Sequence, residues 1–465
     1  MQKITIDGSR RGVNRYENMA TSIGRVANSQ QFPEHLAPID ARTWPSVAGV
    51  PTSRLLRWRA SRAEAHFAAV CAKAELRLEG DAPDLSVDYV EVFDRIAASG
   101  WVGLAEGYMA GEWRTPDSDR LVAVLRGLVE AGYRPPTLRV APPQHGGGGQ
   151  IPPSLVQHYA GDGVSPFQGH FATGVPTRER VRVKSWVPRA GRGAEPATHF
   201  VDNTEIGAPL DAATTRADLA DAQERSVNRL VSEVGARDRW RILEYPAAGP
   251  AATIAAAARG AETECVTLSE DMAAALREQL TFAGVSGHVR AVGPNVTLLG
   301  RDFDAAVSLE HLETLSADDK AEYLTRLGKA VAPGGRIALQ TILGTDSLLG
   351  KGAGKAATAA LASLRAYVWP GLSYVTPEEL AKLVDRRTPL RVIGESHAPD
   401  HLARSLALQR STFETHLRDA AADGFDPVFR RLWVWQLALR QALAELELID
   451  LAQVTLTARN RRGRR

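Results

Sequence analysis

The chain is poor in cysteine and has neither a strong net charge nor a long apolar run. Its only cysteines among 465 residues, Cys71 and Cys265, are too few for a disulfide framework or a cysteine-rich metal site. With 56 basic and 54 acidic side chains the formal net charge is +2, so the chain lacks the basicity of a nucleic-acid coat and we expect no nucleic-acid partner. No stretch reaches the roughly 18 apolar residues of a membrane-spanning helix.

The first residues also lack the pattern of a secretory signal, because Lys3, Asp7, Arg10 and Arg11 are not followed by an apolar stretch. Together with the low cysteine content, this favours a cytoplasmic protein. What is present is an ordinary globular composition, with 44% hydrophobic and 24% charged residues. A chain of this composition and length can bury a large core.

Composition divides the chain into five segments. Residues 1–43 are polar and aperiodic, as in a tail, whereas residues 44–133 have the mixed periodicity of a small α+β domain. A linker rich in proline and glycine follows at 134–153, then a large domain at 154–456 and a basic tail at 457–465. We therefore expect two folded domains, the smaller one amino-terminal.

Secondary structure alternates through the large domain. Helices are predicted at 216–234, 252–258, 270–283 and 317–330, and strands at 241–245, 263–268, 288–292, 303–309 and 336–341. This alternation predicts an α/β fold with a doubly wound, mostly parallel, Rossmann-like sheet. Residues 155–209 are predicted to be irregular and residues 412–451 largely helical. In the small domain, strands are predicted at 74–78 and 85–89.

Four motifs occur in a fixed order along the chain. They are GLAEGYMAGEW at 103–113, VTLSE at 266–270, VSLEHLE at 307–313 and PGGRIALQTI at 333–342. In these motifs, and over about residues 44–456, the chain resembles the cyclopropane-fatty-acyl-phospholipid synthases and the related mycolate-type and 10-methyl-fatty-acid methyltransferases. The resemblance implies a class I methyltransferase fold, S-adenosylmethionine as cofactor, bicarbonate as a bound base, and a phospholipid or fatty-acyl chain as substrate.

The same resemblance implies site residues. The catalytic candidates are Glu313 and Gln340. The cofactor-binding candidates are Glu244, Gly249, Thr267, Leu268 and Ser269, and the lipid or pocket candidates are His158, Tyr159 and Glu310. Glu310, His311 and Glu313 form a polar cluster at a strand end, where ligand contact and capping of the sheet edge remain alternative interpretations. We expect no metal site, because Pro399 separates His397 from His401.

The glycine-rich turn expected to hold the cofactor is altered. The family pattern LEIGCGWGG reads LEYPAAGPA at 243–251, with Pro246, Ala248 and Pro250 at the turn glycines. Proline fixes φ and lacks an N–H, and alanine resists positive φ, so these changes affect both the geometry and the hydrogen bonding of the loop. The resemblance also implies other family residues that differ here. Ala160 and the pair Gly293 and Pro294 stand at acidic positions, Thr314 stands at a histidine, and Leu402 stands at the tyrosine that helps to hold the bicarbonate-like base. We therefore expect degenerate S-adenosylmethionine and bicarbonate sites.

These observations favour a homologue of this family in lipid metabolism with a lipid-binding or partner role. The alternatives are an active methyltransferase or cyclopropane synthase acting on unsaturated phospholipid acyl chains, and a structural subunit in a homo- or hetero-oligomer with an active relative. The basic tail either contacts anionic lipid at the membrane periphery or is solvated. We also expect Tyr108, Met109 and Trp113 to form an interdomain or subunit contact, since they lie beside two glycines at helix-like spacing.

Overall fold

The computed structural model describes residues 33–137, 151–192, 195–210, 215–285, 287–291 and 303–459. The chain divides into two compact units. Unit 1 takes its described residues from Met1–Gly146, Lys351–Tyr367 and Phe425–Leu439, and unit 2 takes them from Gly147–Gly350, Val368–Gly424 and Arg440–Arg465. Unit 1 therefore includes helices from the second half of the sequence, outside the linear range 44–133.

The described part of the chain contains both helices and strands. The helices are α1 (Pro45–Ala48), α2 (Arg54–Lys73), α3 (Glu91–Ser99), α4 (Trp101–Ala110), α5 (Ser118–Glu130), α6 (Pro153–Val156), α7 (Arg216–Glu233), α8 (Ala251–Ala257), α9 (Glu270–Phe282), α10 (Ala317–Ala330), α11 (Ala353–Tyr367), α12 (Pro377–Arg387), α13 (Pro399–Thr415), α14 (Leu417–Ala422) and α15 (Pro427–Glu445). The strands are β1 (Ser86–Val87), β2 (Trp113–Arg114), β3 (Thr177–Lys184), β4 (Thr198–Glu205), β5 (Arg241–Glu244), β6 (Glu262–Thr267), β7 (His288–Ala291), β8 (Phe303–Leu309), β9 (Val331–Gly344), β10 (Leu390–His397) and β11 (Ile449–Ala458).

Unit 1 is mainly helical, and its small sheet pairs β1 with β2. The strand predicted at 74–78 is wrong, because α2 ends there in a turn in which the Leu76 amide donates to the Cys71 carbonyl, 2.9 Å away. The turn includes Glu75 at a φ of 58°, which removes it from the extended conformation of a strand. β1 pairs instead with the end of the signature motif, where Val87 lies opposite Trp113.

The signature motif at 103–113 is a packing element of unit 1. A Cβ added to Gly103 would lie 2.0 Å from the Arg95 carbonyl oxygen, so only glycine allows α3 and α4 to approach this closely. Trp113 is buried, donates its indole N–H to the Leu104 carbonyl (2.8 Å), and packs against Trp435 of the same unit. The expected interdomain or subunit contact is therefore corrected for Trp113, whose ring packs inside unit 1.

Unit 2 contains a nine-stranded sheet in the order β3-β4-β10-β11-β9-β8-β5-β6-β7. The strands from β9 to β7 pair in parallel, and β11 runs antiparallel between β9 and β10. Helices α10 and α12 pack on one face of this sheet and α7 and α8 on the other. The doubly wound α/β fold predicted from the sequence is confirmed.

The central strands β5, β6 and β8 are buried along most of their length because both faces of the sheet are covered. Phe303, Ala306 and Leu339 lie in the core shared with α10 and α12, whereas Ala305 and Val307 lie in the core shared with α7 and α8. This burial holds the carboxyl ends of β5, β6 and β8 in fixed positions. Those ends carry the candidate site.

In the large sheet, strands β3, β4 and β11 were not predicted. β3 and β4 form a hairpin in the region expected to be irregular, and β11 occupies the end of the region expected to be helical and continues into the expected tail. Residues 460–465 of that tail, and Gly293 and Pro294, lie outside the described residues. Within the described ranges, no helix combines the length and hydropathy that crossing a bilayer demands.

Candidate functional site

The candidate residues lie where neighbouring parallel strands end. Glu244 is the last residue of β5 and Thr267 the last of β6, and Glu310 directly follows β8. Gln340 lies on the adjacent strand β9 and pairs in register with Leu309 of β8. In open α/β sheets, ligands bind beyond these carboxyl ends, so the topology brings the two halves of the predicted site to one edge.

The loop after β5, residues 245–250, is closed and almost entirely buried. Every residue in it except the half-buried Ala248 is buried. The Ala247 amide donates to the Val266 carbonyl at 2.9 Å, and the two prolines have no N–H to offer. Few amide donors therefore remain in this loop for a bound ligand.

The segment 160–171, which we call the strap, covers this loop. A Cβ added to Gly249 would lie 2.7 Å from the Val164 carbonyl oxygen, so the strap backbone rests directly on the loop. Buried side chains of α7 and α13 hold the strap through its backbone. The contacts are Gln223 to Ser165 and Phe167 (2.7 and 2.6 Å), Ser405 to Gly169 (3.0 Å), His401 to Phe171 (2.9 Å) and Gln409 to Pro166 (3.2 Å).

Glu244 is fully buried and points into the protein. Its Oε2 accepts a hydrogen bond from Thr253 (3.3 Å) and lies 3.9 Å from the Cys265 thiol, while its Oε1 has no partner among the described residues. Burial raises the pKa of Glu244 to about 8, so this carboxyl is mostly protonated at neutral pH. It therefore does not present a full negative charge at the end of β5.

The three candidates at the end of β6 serve local structure. Thr267 donates to the Ser269 carbonyl (2.9 Å), and the Ser269 hydroxyl caps α9 by accepting from the Met272 amide (3.2 Å). Leu268 packs against the core beneath α10 and α12. These contacts form the turn between β6 and α9.

Two carboxylates, by contrast, lie beyond β8, where Glu313 is buried and Glu310 is half-buried. Glu310 has a φ of 46°, a strained conformation for a residue with a side chain, and its Oε1 accepts from the Gln168 amide (2.6 Å) and from Gln340 Nε2 (2.8 Å). Glu313 accepts from the Thr341 hydroxyl at 2.8 Å. Burial raises the pKa of Glu310, and burial together with the Glu310 charge raises the pKa of Glu313 to about 7.

Gln340 orients Glu310. Besides donating to Glu310, its Nε2 donates to the Gln168 carbonyl (2.9 Å), and its Oε1 accepts from the Ser226 hydroxyl (2.5 Å) and from Gln453 Nε2 (3.0 Å). All the hydrogen-bonding capacity of this amide is used. Its role in the structure is therefore that of a positioning residue.

Three further residues complete this cluster. The sequence did not predict that they lie beside it. Arg440, in α15, lowers the pKa values of both Glu310 and Glu313 against the larger effect of burial, and its guanidinium lies 5.4 Å from the Trp369 ring centroid. Tyr374 and Tyr159 are buried within reach of the same charges, and burial raises the pKa of each phenol. Arg440 and Tyr374 carried no recognisable motif, so no sequence signal identified them.

The remaining candidate, His158, hydrogen-bonds to a different carboxylate. Its buried ring hydrogen-bonds through Nε2 to Asp423 at 2.8 Å. Leu402, at the position of the family tyrosine, is buried in α13. The structure thus brings Tyr159, Glu310, Glu313 and Gln340 together, while His158 is joined to α14 and its neighbour Asp423.

The polar cluster can move a proton. A carboxyl with a pKa of about 7 is populated in both forms at neutral pH, which suits a general acid or base. The positive charge of Arg440 lowers the pKa of Glu310 and so opposes the larger effect of burial. No group of three or more histidine, cysteine or acidic residues within the described ranges is arranged to hold a metal.

The fold gives the protein the architecture of a class I S-adenosylmethionine-dependent methyltransferase. Residues 212–454, more than half of the chain, match the family described as mycolic acid cyclopropane synthetase. The chain belongs to this family of S-adenosylmethionine-dependent methyltransferases that act on lipids.

Individual relatives are similar over different lengths. A tuberculostearic acid methyltransferase of Mycobacterium tuberculosis (strain ATCC 25618 / H37Rv) is 27% identical over 443 residues, covering 90% of this chain and 96% of that protein. A coclaurine N-methyltransferase structure matches with a TM-score of 0.50 and 11% identity, over 77% of this chain and 99% of that one. The cyclopropane synthase MmaA2 of M. tuberculosis matches with a TM-score of 0.46 and 22% identity, over 52% and 85%.

Proposed function

We propose that this chain is a lipid-binding member of its family whose S-adenosylmethionine site is degenerate. The observation that carries the proposal is the closed loop at 245–250, in which Gly249 is covered by the Val164 carbonyl. S-adenosylmethionine in such folds needs an open turn with free amides and a helix amino terminus. The residues present do not fit that group.

Glu244 supports the same conclusion. A cationic donor that lies beside this position is best held by an ionised carboxylate, but the raised pKa of Glu244 keeps it mostly neutral near pH 7. Its Oε2 is already engaged by Thr253 and faces Cys265. Recovering a charged Glu244 would require opening this buried contact.

The lipid part of the proposal rests on family membership. The similar mycobacterial protein is named for a methyl-branched fatty acid, which points to a fatty-acyl chain or a phospholipid as the ligand. A partner role follows if an active relative supplies the methyl transfer, in a homo- or hetero-oligomer. Bicarbonate binding is not part of the proposal, since Glu310 and Gln340 fill the polar cluster with their own contacts.

Calorimetric titration with S-adenosylhomocysteine tests the cofactor half of the proposal. We expect no binding tighter than about 1 mM, or about 4 kcal/mol. A micromolar dissociation constant would overturn it. The matched variant Pro246→Gly/Ala248→Gly/Pro250→Gly should not gain methyl transfer to lipid, because the strap remains; incorporation of labelled methyl by this variant would contradict us.

A second candidate function is an active methyltransferase on unsaturated phospholipid acyl chains. The observation favouring it is the cluster of Glu310, Glu313 and Arg440, which has the proton-accepting group that such a reaction needs. Labelled-methyl transfer by the unaltered chain, lost in Glu313→Gln, would establish this function. Co-purification with an active relative would instead support the partner role.

A further inference from the structure

The outward face of α2 combines arginines with exposed apolar side chains. This face, which we call the Arg–Trp face, consists of Arg54, Leu55, Arg57, Trp58, Arg59 and Arg62. Leu55 and Trp58 are 53% and 55% exposed, although α2 also buries Leu56 and Phe67 on its opposite side. The Arg62 guanidinium lies over the Trp58 ring, 3.8 Å from its centroid.

The arginines of this face lack a counter-charge among the described residues. Within the described part of the chain, none of the four pairs with a carboxylate, and no acidic residue occurs in the first turn of α2. Arg54 and Arg57, and Arg59 and Arg62, are three apart, where like charges repel. Cations near the amino-terminal end of a helix also interact unfavourably with the helix dipole. Helix stability therefore does not explain this cluster.

We propose that the Arg–Trp face docks on the surface of an anionic phospholipid bilayer. Clustered arginines are attracted to acidic headgroups, and tryptophan and leucine side chains enter the interface between headgroups and acyl chains. The docking brings a chain without a described membrane-spanning helix to lipids held in a membrane. This proposal rests on the proposed lipid-binding function and adds that the protein reaches its lipid at a membrane surface.

A second basic surface of the chain provides the matched control. Arg178, Arg180 and Arg182 project from one side of β3, and Arg180 pairs with Asp202 at 2.7 Å. This surface also exposes an apolar ring, Phe200, at 59%. It differs from the Arg–Trp face in having an acidic partner of its own.

The test is co-sedimentation of the full chain with vesicles of phosphatidylcholine alone or of phosphatidylcholine mixed with phosphatidylglycerol. We expect binding only to the anionic vesicles, weakened about 100-fold in Arg54→Gln/Arg57→Gln/Arg59→Gln. The control Arg178→Gln/Arg180→Gln/Arg182→Gln removes the same net charge and should stay within about threefold of the unaltered chain. Equal losses in both variants would overturn the proposal, because net charge alone would then explain binding.

Trp58 gives an independent optical readout. Trp58→Phe keeps an aromatic ring at the interface, so we expect vesicle binding to persist. The blue shift of tryptophan fluorescence on adding anionic vesicles should be smaller in this variant than in the unaltered chain. An identical shift in both would show that Trp58 stays in water, which contradicts docking through this face.

Two further measurements separate the alternatives. If the triple arginine-to-glutamine variant of α2 converts a dimer to a monomer in sedimentation velocity, the face joins copies of the chain and the proposal is wrong. Displacement of a monomeric fluorescent fatty acid should be unchanged in that variant, with an unchanged thermal midpoint. Vesicle docking without any fatty-acid binding by the unaltered chain would refute the proposed function while leaving this surface assignment intact.

Discussion

The two halves of the sheet edge in unit 2 differ in polarity and in closure. Beyond β5 and β6, the loop at 245–250 is built from proline, alanine and one glycine after its leading tyrosine, and the strap lies directly on it. Beyond β8 and β9, Glu310 and Glu313 are held by amides and hydroxyls near Arg440. The first half packs like a protein core, whereas the second retains ionisable groups.

Under the proposed function, the family fold has changed unevenly between the two halves. Proline and alanine restrict the conformations of the unfolded chain more than glycine does. A closed loop built from them therefore need not destabilise the protein. The second half cannot lose one member so easily, because an uncompensated buried charge is costly. Retention of Glu313 is therefore compatible with structure as well as with proton transfer.

The largest effect is expected when the positive charge of Arg440 is removed from the half of the sheet edge beyond β8 and β9. Arg440→Met removes a cation that lowers the pKa values of both Glu310 and Glu313, which leaves Lys320 near Glu313, and should lower the free energy of unfolding by about 3 kcal/mol at pH 8. The loss should be smaller at pH 6, where the carboxyls take up protons. Chemical denaturation at both pH values measures it. The exposed Arg418→Met should cost about 0.5 kcal/mol or less, and equal costs would show that Arg440 does not compensate the cluster.

A smaller effect is expected from a substitution that tests whether the strap closes the loop at 245–250. Gly249→Ala places a Cβ 2.7 Å from the Val164 carbonyl and should cost about 2 kcal/mol, because backbone must shift. Gly174→Ala is the control, since nothing lies within 4 Å of its added Cβ. Thermal unfolding of both variants decides the matter. A neutral Gly249→Ala would mean that the strap moves away and that the loop can open.

The smallest effect is a change in pH dependence. Because the pKa of Glu244 is raised from 4.5 to about 8, the native state keeps a proton between about pH 5 and pH 8 that the unfolded state has already released. The contribution of Glu244 to stability therefore falls as the pH rises through this range. Glu244→Gln should flatten the curve by up to about 1.4 kcal/mol per pH unit. The exposed Glu262→Gln should keep the original slope. Denaturation series across this range compare them, and parallel curves for all three proteins would place Glu244 in contact with water.

Much of unit 2 could be predicted because its central strands and helices follow simple periodicities. The alternation of strands and helices located β5, β6 and β8 to within a residue. The hairpin β3–β4 escaped prediction because its strands are largely polar and exposed. β11 escaped because its start merges with the apolar pattern of α15.

The site was only partly predictable for a different reason. Glu310, Glu313 and Gln340 lie in recognisable motifs, and their polar neighbourhood follows from the parallel pairing of β8 and β9. Arg440 and Tyr374 come from other elements and contact the cluster only after folding. Trp113 shows the same limit, since its spacing pointed to a surface contact but Trp435, distant in sequence, buries it.

The amino-acid sequence by itself determined the family, the alternation of strands and helices, and the loss of the turn glycines, because these depend on residues close together in the chain. The tertiary structure alone decided that the strap covers Gly249, that Glu244 is buried against Thr253 and Cys265, and that Arg440 lies near the two carboxylates. Those properties depend on burial and on charges brought together from distant segments. Burial and proximity arise only when the chain folds, and they set which groups are ionised.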